Sequence, residues 1–314
     1  MKIVGLDTLV FGVDNVTACR QYLLDYGLHE AGDGRFEALD GTAVVIAAAD
    51  DPALPPARVP NCALRKTVMG VRDPAELEAI AAELAKDREV RRLPDGSIES
   101  VDDDGFLLGF QLTVRRPVTL AAEVINATGS PFQRPANQLG VDAAMPLPVR
   151  PRTLSHVVYF VPDPARSEAF YARLGFRVVD RFVGMGPFLQ PAGTLDHHTH
   201  FFITAPEHVK GVEHFTFHFG GPTEVLLNGK HFVEKGYQSF WGPGRHQMGS
   251  NWFWYFKSPF GCNMEMDADM DLHDASWQAR EWPIAADRSQ VFLFAYREAW
   301  APGPDAPPTD GSHA

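Results

Sequence analysis

Leu154-Ser155-His156-Val157-Val158-Tyr159 repeats the apolar pattern of Leu6-Asp7-Thr8-Leu9-Val10-Phe11 at an offset of 148 residues. The same offset carries Tyr26-Gly27-Leu28 onto Leu174-Gly175-Phe176, and Leu64-Arg65-Lys66-Thr67-Val68 onto Val212-Glu213-His214-Phe215-Thr216. Three matches at one spacing mark a duplicated chain, and such a repeat constrains the architecture before any motif is read. Within each half a shorter unit recurs: an apolar strand, a helix opened by Asp or Pro, then further strands. After the strand at 154–161, Asp163 can cap a helix with Pro164 in its first turn. Phe170, Tyr171 and Leu174 give that helix one apolar face, and Gly175 ends it. The next unit has a strand at 212–219, a helix from about 222 to 235 stopped by Gly236, and strands near 252–256 and 262–266. In the first half, Asp73-Pro74 opens a helix to about Lys86. The chain reads as α+β, two domains, each of two βαβββ modules forming a curved sheet or half-barrel. Residues 1–120 are the first domain, 121–150 a proline-containing linker, 151–290 the second domain, and 291–314 a C-terminal segment. The Pro-, Gly- and Asp-rich end after Trp300 is expected to be mobile.

Of 314 residues, 28 are Lys or Arg and 40 are Asp or Glu, a net charge of −12, with no basic cluster. A nucleic-acid backbone would be repelled. Cys19, Cys62 and Cys262 are odd in number and form no CxxC, which argues against a disulfide framework or a thiolate metal cage and for a reducing cytoplasm. Asp7 interrupts what would be a signal-peptide core, and the apolar run at 42–49 is far shorter than the about 20 residues of a bilayer span. Neither export nor a membrane partner is expected.

All but one of the twelve histidines, His29, follow residue 150. Strand alternation puts His156, Val158 and Phe160 on one face, His214, Thr216 and His218 on another, and Asn263, Glu265 and Asp267 on a third. If the modules pair as half-barrels, their inner faces bring His156, His214 and Glu265 together. Two imidazoles and one carboxylate form a facial set with open positions, suited to non-haem Fe(II), with Mn(II) as a possible substitute. A single strand histidine is more often a hydrogen-bonded structural residue, so the first half serves as a control. There Thr8, Lys66 and Gly109 stand at the equivalent positions. All three candidate ligands are missing together, as in a duplicated domain that kept its fold without the metal.

The segments Leu154-Ser155-His156-Val157-Val158, Val212-Glu213-His214-Phe215-Thr216-Phe217, Gly242-Pro243-Gly244-Arg245-His246 and Tyr255-Phe256-Lys257-Ser258-Pro259-Phe260-Gly261-Cys262-Asn263-Met264-Glu265 together resemble the type I extradiol ring-cleavage dioxygenases, catechol 2,3-dioxygenase-like, of the vicinal oxygen chelate superfamily. The resemblance covers most of residues 150–275 by motif and the first half by architecture only. It implies the vicinal oxygen chelate fold, Fe(II) held by His156, His214 and Glu265, His198 as acid/base residue beside the oxygen site, and His246 with Tyr255 as hydrogen-bond partners of the substrate oxygens. The implied reaction is extradiol cleavage of a catechol-type aromatic diol by O2. The implied partners are a small aromatic diol and O2, in a homo-oligomer.

Asp196-His197-His198-Thr199-His200 offers three imidazoles. The family pattern favours His198, while alternation puts His198 and His200 on one face and His197 on the other, leaving open which of the pair faces the oxygen site. His197 and His200 are otherwise read as surface or structural. His218 and Arg245 are expected to line or support the cavity, and His208, His231 and His273 to be structural or solvated. Phe240, Trp241, Trp252, Phe253, Trp254 and Phe256 are expected to be mainly core, a minority forming an apolar wall. No Lys/Arg pair points to a carboxylated substrate, which favours an alkyl- or aryl-substituted catechol or a polycyclic diol. Two other functions fit the same residues: a glyoxalase-like isomerase or lyase using the metal as Lewis acid, and a ligand-sequestering protein of the drug-resistance kind.

Overall fold

The computed structural model describes residues 1–142, 145–283 and 289–294. Four βαβββ units follow one another. The first half contains β1 (Ile3–Val13), α1 (Val16–Tyr26), β2 (His29–Gly32), β3 (Arg35–Glu37) and β4 (Ala43–Ala48). It continues with β5 (Leu64–Val71), α2 (Pro74–Leu84), β6 (Arg91–Arg92), β7 (Ile98–Val101) and β8 (Leu107–Leu112). The second half repeats the order with β9 (Thr153–Val161), α3 (Pro164–Arg173), β10 (Phe176–Val183), β11 (Gly186–Pro191) and β12 (His200–Thr204). Its second module is β13 (Gly211–His218), α4 (Pro222–Glu234), β14 (Ser239–His246), β15 (Trp252–Lys257) and β16 (Asn263–Ala268).

The halves form two open sheets, ordered β2-β3-β4-β1-β5-β8-β7-β6 and β10-β11-β12-β9-β13-β16-β15-β14. The duplication extends to register. β5 pairs antiparallel with β1 and parallel with β8, as β13 does with β9 and β16. The Gly27/Gly175 coincidence has a local cause, since both residues leave a helix with positive φ, +107° and +87°. Only glycine takes that conformation without a Cβ penalty. Asp163 caps α3 by accepting from the backbone N–H groups of Ala165 and Arg166. Asp163→Ala is expected to cost about 1 kcal/mol, read as a shift in the urea midpoint.

Two further strands escape a pattern-based reading. β17 (Arg280–Pro283) adds parallel to β10, and β18 (Gln290–Leu293) adds antiparallel to β14. Each has only four residues, alternately half-buried and exposed, too few for periodicity to stand out. The mobile end expected after Trp300 lies outside the described residues.

The sheets share one apolar core. Phe11 on β1 packs against Phe215 and Phe260 at 5.2 and 5.1 Å between ring centroids, and Tyr22 on α1 packs against Phe232 on α4 at 5.0 Å. Two buried hydroxyls also cross between the halves: Thr67 and Tyr159 share a 2.7 Å hydrogen bond, and Tyr26 donates to the backbone carbonyl of Glu265 at 2.5 Å. The first half therefore backs the strands of the second. No helix among the described residues is long and apolar enough to cross a membrane.

Candidate metal centre

β9 and β16 flank β13, with Thr216 opposite His156 on one side and opposite Glu265 on the other. His214, two residues along β13, shares the face of Thr216, so three side chains from three neighbouring strands rise from one patch. His156 Nε2 lies 3.2 Å from His214 Nε2 and 3.1 Å from Glu265 Oε2, and the third separation is 3.4 Å. Ligand bonds of about 2.1 Å at right angles would put neighbouring donors about 3.0 Å apart. The three atoms are thus spaced as neighbouring ligands of one ion, between about 3.0 Å for octahedral and about 3.4 Å for tetrahedral edges. Glu265 Oε2 is buried yet accepts no well-aligned hydrogen bond. An orphaned carboxylate oxygen between two imidazole nitrogens fits a cation, and these three residues form a group that could hold a metal ion.

The remaining ring nitrogens are engaged elsewhere, which directs each Nε2 inward. Ser155 Oγ is 2.9 Å from His156 Nδ1; Glu213 bonds His214 Nδ1 and is itself held by Asn263 Nδ2 at 2.8 Å. In the metal-free chain, burial opposes charge on His214, but Glu213 and Glu265 outweigh it and raise the pKa to about 10. Burial lowers that of His156. Burial would push Glu265 up, yet the close imidazoles of His156, His214 and His246 hold it well below the usual carboxylate range.

The first half shows what replaces such a centre. The register Val68↔Gly109 repeats Thr216↔Glu265, so Gly109 does occupy the carboxylate's place. A Cβ on Gly109 would meet the side chains of Val68 and Lys66 at 3.3 and 3.4 Å, and the Lys66 ammonium pairs with Glu99 at 2.9 Å. A lysine ion pair stands where the second half gathers imidazoles.

A cavity of ≈ 280 Å³ opens over His156 and His214. His198, His246 and Tyr255 join them in its wall, and Phe182, Met185, Phe188, Phe201, Ile203, Trp241 and Met248 make the rest largely apolar. His246 Nε2 lies 3.1 Å from the Tyr255 hydroxyl and 3.2 Å from Glu265 Oε1. The His198 ring is tilted against His156 at 4.3 Å. Of the expected aromatic wall, Phe240 and Trp241 line the cavity, Phe253 stacks beneath His246 at 4.0 Å, and Trp254 and Phe256 are core. Pattern reading missed the wall from β10, β11 and β12, including the Phe188–Phe201 pair stacked at 3.9 Å. Alternation marks these residues only as buried.

His200 does not share a face with His198. It packs on the opposite side of the sheet among Tyr159, Tyr171, Phe176 and Phe202, where burial pushes its pKa down to about 3. β12 begins only at His200, and the irregular stretch before it breaks the alternation assumed for 197–200. His197 is not at the surface either, being fully buried with Nε2 2.8 Å from Asp180. Arg245 does not line the cavity: it pairs with Asp269 at 2.9 Å beside Trp252. His273 is buried and stacked on Trp277 at 3.8 Å, His231 is half-buried on α4, and His208 borders a separate cavity.

His218 supports the site from below, with Nδ1 2.9 Å from Asp267, which also lies 3.5 Å from Ser155 Oγ. Burial disfavours its charge, but Asp267 overrides this and raises the pKa to about 9. Because the folded pKa lies above the unfolded value near 6.5, the stabilisation is complete below pH 6.5 and is lost as pH rises through 9. His218→Asn, compared with the parent in urea under metal-free conditions, is expected to show a stability deficit that shrinks between pH 6.5 and 9.

Paired βαβββ modules, with His, His and Glu from three strands gathered at a candidate metal site, define a fold of the vicinal oxygen chelate type. Residues 153–266 match the Glyoxalase/Bleomycin resistance protein/Dioxygenase superfamily. Metapyrocatechase 2 of Cupriavidus necator is 32% identical over 160 residues, which is 51% of this chain and 47% of that protein. The match thus spans about half the length of the curated relative. The fold as a whole is similar to the Mn(II)-bound glyoxalase from Novosphingobium aromaticivorans, with TM-score 0.70, 19% identity, and 92% of this chain and 90% of that one covered. It is also similar to the 2,3-dioxygenase LapB from Pseudomonas sp. KL28, with TM-score 0.68, 19% identity, and 90% and 98% covered.

Proposed function

We propose that the protein cleaves a catechol-type aromatic diol with O2, in the extradiol position, at a non-haem Fe(II) or Mn(II) held by His156, His214 and Glu265. The observation that carries this reading is the convergence of three donor atoms, 3.1–3.4 Å apart, beside a cavity lined by His156 and His214 together with His198, His246 and Tyr255. When bound, such an ion supplies Lewis acidity that acidifies the diol hydroxyls and redox chemistry that couples the ring to O2. The protein's part is to place and protonate. His198, at the wall beside His156, takes the second hydroxyl proton and later returns one; burial, then the neighbouring imidazoles of His156 and His197, lower its pKa, so it rests neutral and ready to accept. Burial holds the Tyr255 hydroxyl protonated, so Tyr255 is a donor toward oxygen, oriented by His246. The stacked Phe188–Phe201 pair, Phe182 and Trp241 exclude water and flank the ring.

No Lys or Arg among the described residues lines this cavity. Catechols with alkyl or aryl substituents are expected to show kcat/KM at least ten-fold above carboxylated ones, because a carboxylate would be desolvated there without a partner. The test is aerobic incubation of Fe(II)-loaded protein with such a panel, read by the yellow ring-opened product, beside an anaerobic arm. Turnover that persists without O2 would replace this reading with the isomerase or lyase. Tight ligand binding with neither bound metal nor turnover would replace it with sequestration.

A further inference from the structure

We infer that Asp180 and His197 are positioning residues that fix the tautomer of His198, so that its Nε2 is the proton-accepting atom toward the cavity; this rests on the acid/base role proposed for His198. The two histidines are adjacent and buried, with their Nδ1 atoms 2.9 Å apart, so one ring must donate to the other. His197 Nε2 lies 2.8 Å from Asp180 Oδ2. Asp180 is itself fully buried on β10 and accepts from Arg280 three ways: the backbone N–H at 2.9 Å, Nε at 3.1 Å and Nη2 at 2.5 Å. Burial alone would neutralise that carboxyl, but its hydrogen bonds from His197 and Arg280 bring it down to about 2, so it is ionised and only accepts.

The consequence propagates by hydrogen-bond bookkeeping. In a His197 ring carrying one proton, the acceptor-only Asp180 carboxylate fixes that proton on Nε2 and leaves the lone pair on Nδ1. His198 must then donate from Nδ1, which leaves its own lone pair on Nε2. Nδ1 being occupied, Nε2 is the nitrogen available in a ring that lines the cavity. The fold commits several elements to this arrangement. β17 brings Arg280 opposite Asp180 in register, and the backbone N–H of His197 is held by the Asp271 carbonyl at 2.9 Å. Gly249, at φ +80°, lies so close that a Cβ there would sit 3.2 Å from His197 Nδ1, the atom receiving the bond.

The arrangement follows the logic of the serine-protease triad, where replacing the carboxylate by an amide reverses a tautomer and costs about 10⁴ in kcat. In Asp180→Asn the amide can donate to His197 Nε2, which moves the His197 proton to Nδ1 and the His198 proton to Nε2. ¹⁵N-histidine NMR on the full chain, metal-free and again with Zn(II) as a diamagnetic occupant, is expected to show His198 protonated on Nδ1 in the parent and on Nε2 in D180N. Ring cleavage by D180N is expected to lose at least about 10²-fold in kcat with KM nearly unchanged, and Asp180→Glu to recover part of the loss. His197→Phe, which keeps the ring's bulk, serves if D180N does not fold, and is expected to give a mixture of His198 tautomers. Retention of the Nδ1–H tautomer in the folded variant, or parental kcat in D180N, would overturn the inference. A tautomer change in a protein whose parent cleaves no diol upholds it and overturns the ring-cleavage reading instead.

Discussion

His214→Ala is expected to lose its metal on dialysis and to fall at least 10³-fold in diol cleavage, measured by elemental analysis and by product absorbance. Among the described residues these three donors, with edges of 3.1, 3.2 and 3.4 Å, are the one group of His, Cys or carboxylate side chains placed to share an ion. The next imidazole in the wall, His246, already faces Tyr255 and the other oxygen of Glu265. The substitution also strands Glu213, which retains only Asn263. Proton competition supplies a second signature in the parent. A metal must displace the proton that Glu213 and Glu265 stabilise on His214, whose metal-free pKa is about 10. Apparent metal affinity is therefore expected to rise from pH 6 toward pH 9, and a flat profile would contradict this account of the pocket's charge.

Phe215→Ala is expected to destabilise the chain by about 3–5 kcal/mol, read from urea unfolding. Phe215 sits between His214 and Thr216 on β13 but points to the opposite face, fully buried against Phe11 and Phe260 at 5.2 and 5.6 Å. Removing it opens a void in the layer between the two sheets, which close-packed neighbours fill only in part. Metal retention is expected to weaken with stability, because this layer supports the strands that present His156, His214 and Glu265. Phe240→Ala is the matching control. That ring is half exposed at the cavity, so its loss is expected to change stability by no more than about 0.5 kcal/mol.

The 148-residue repeat, the helix starts at Asp73 and Asp163, and the choice of His156, His214 and Glu265 were all legible along the chain. Each depends on local chemistry: a capping carboxylate, a glycine at positive φ, or alternation on a regular strand. The absence of all three ligand types from the first half was equally legible, and the paired registers place Gly109 in the position of Glu265. Where the ladder stops, that reading fails. The residues before β12 do not alternate, so strand periodicity does not apply there and His198 and His200 lie on opposite faces.

By itself, then, the sequence determined the modules and which side chains could serve a metal, because backbone periodicity and capping act within a few residues. Tertiary structure alone decided that three donor atoms converge to within a hydrogen-bond length. It also brought β17 to Asp180 and put His198, rather than His200, at the cavity. These outcomes depend on register between residues 49 to 100 positions apart, and on which aromatic faces fill the layer between the sheets. No pattern confined to one strand contains that information.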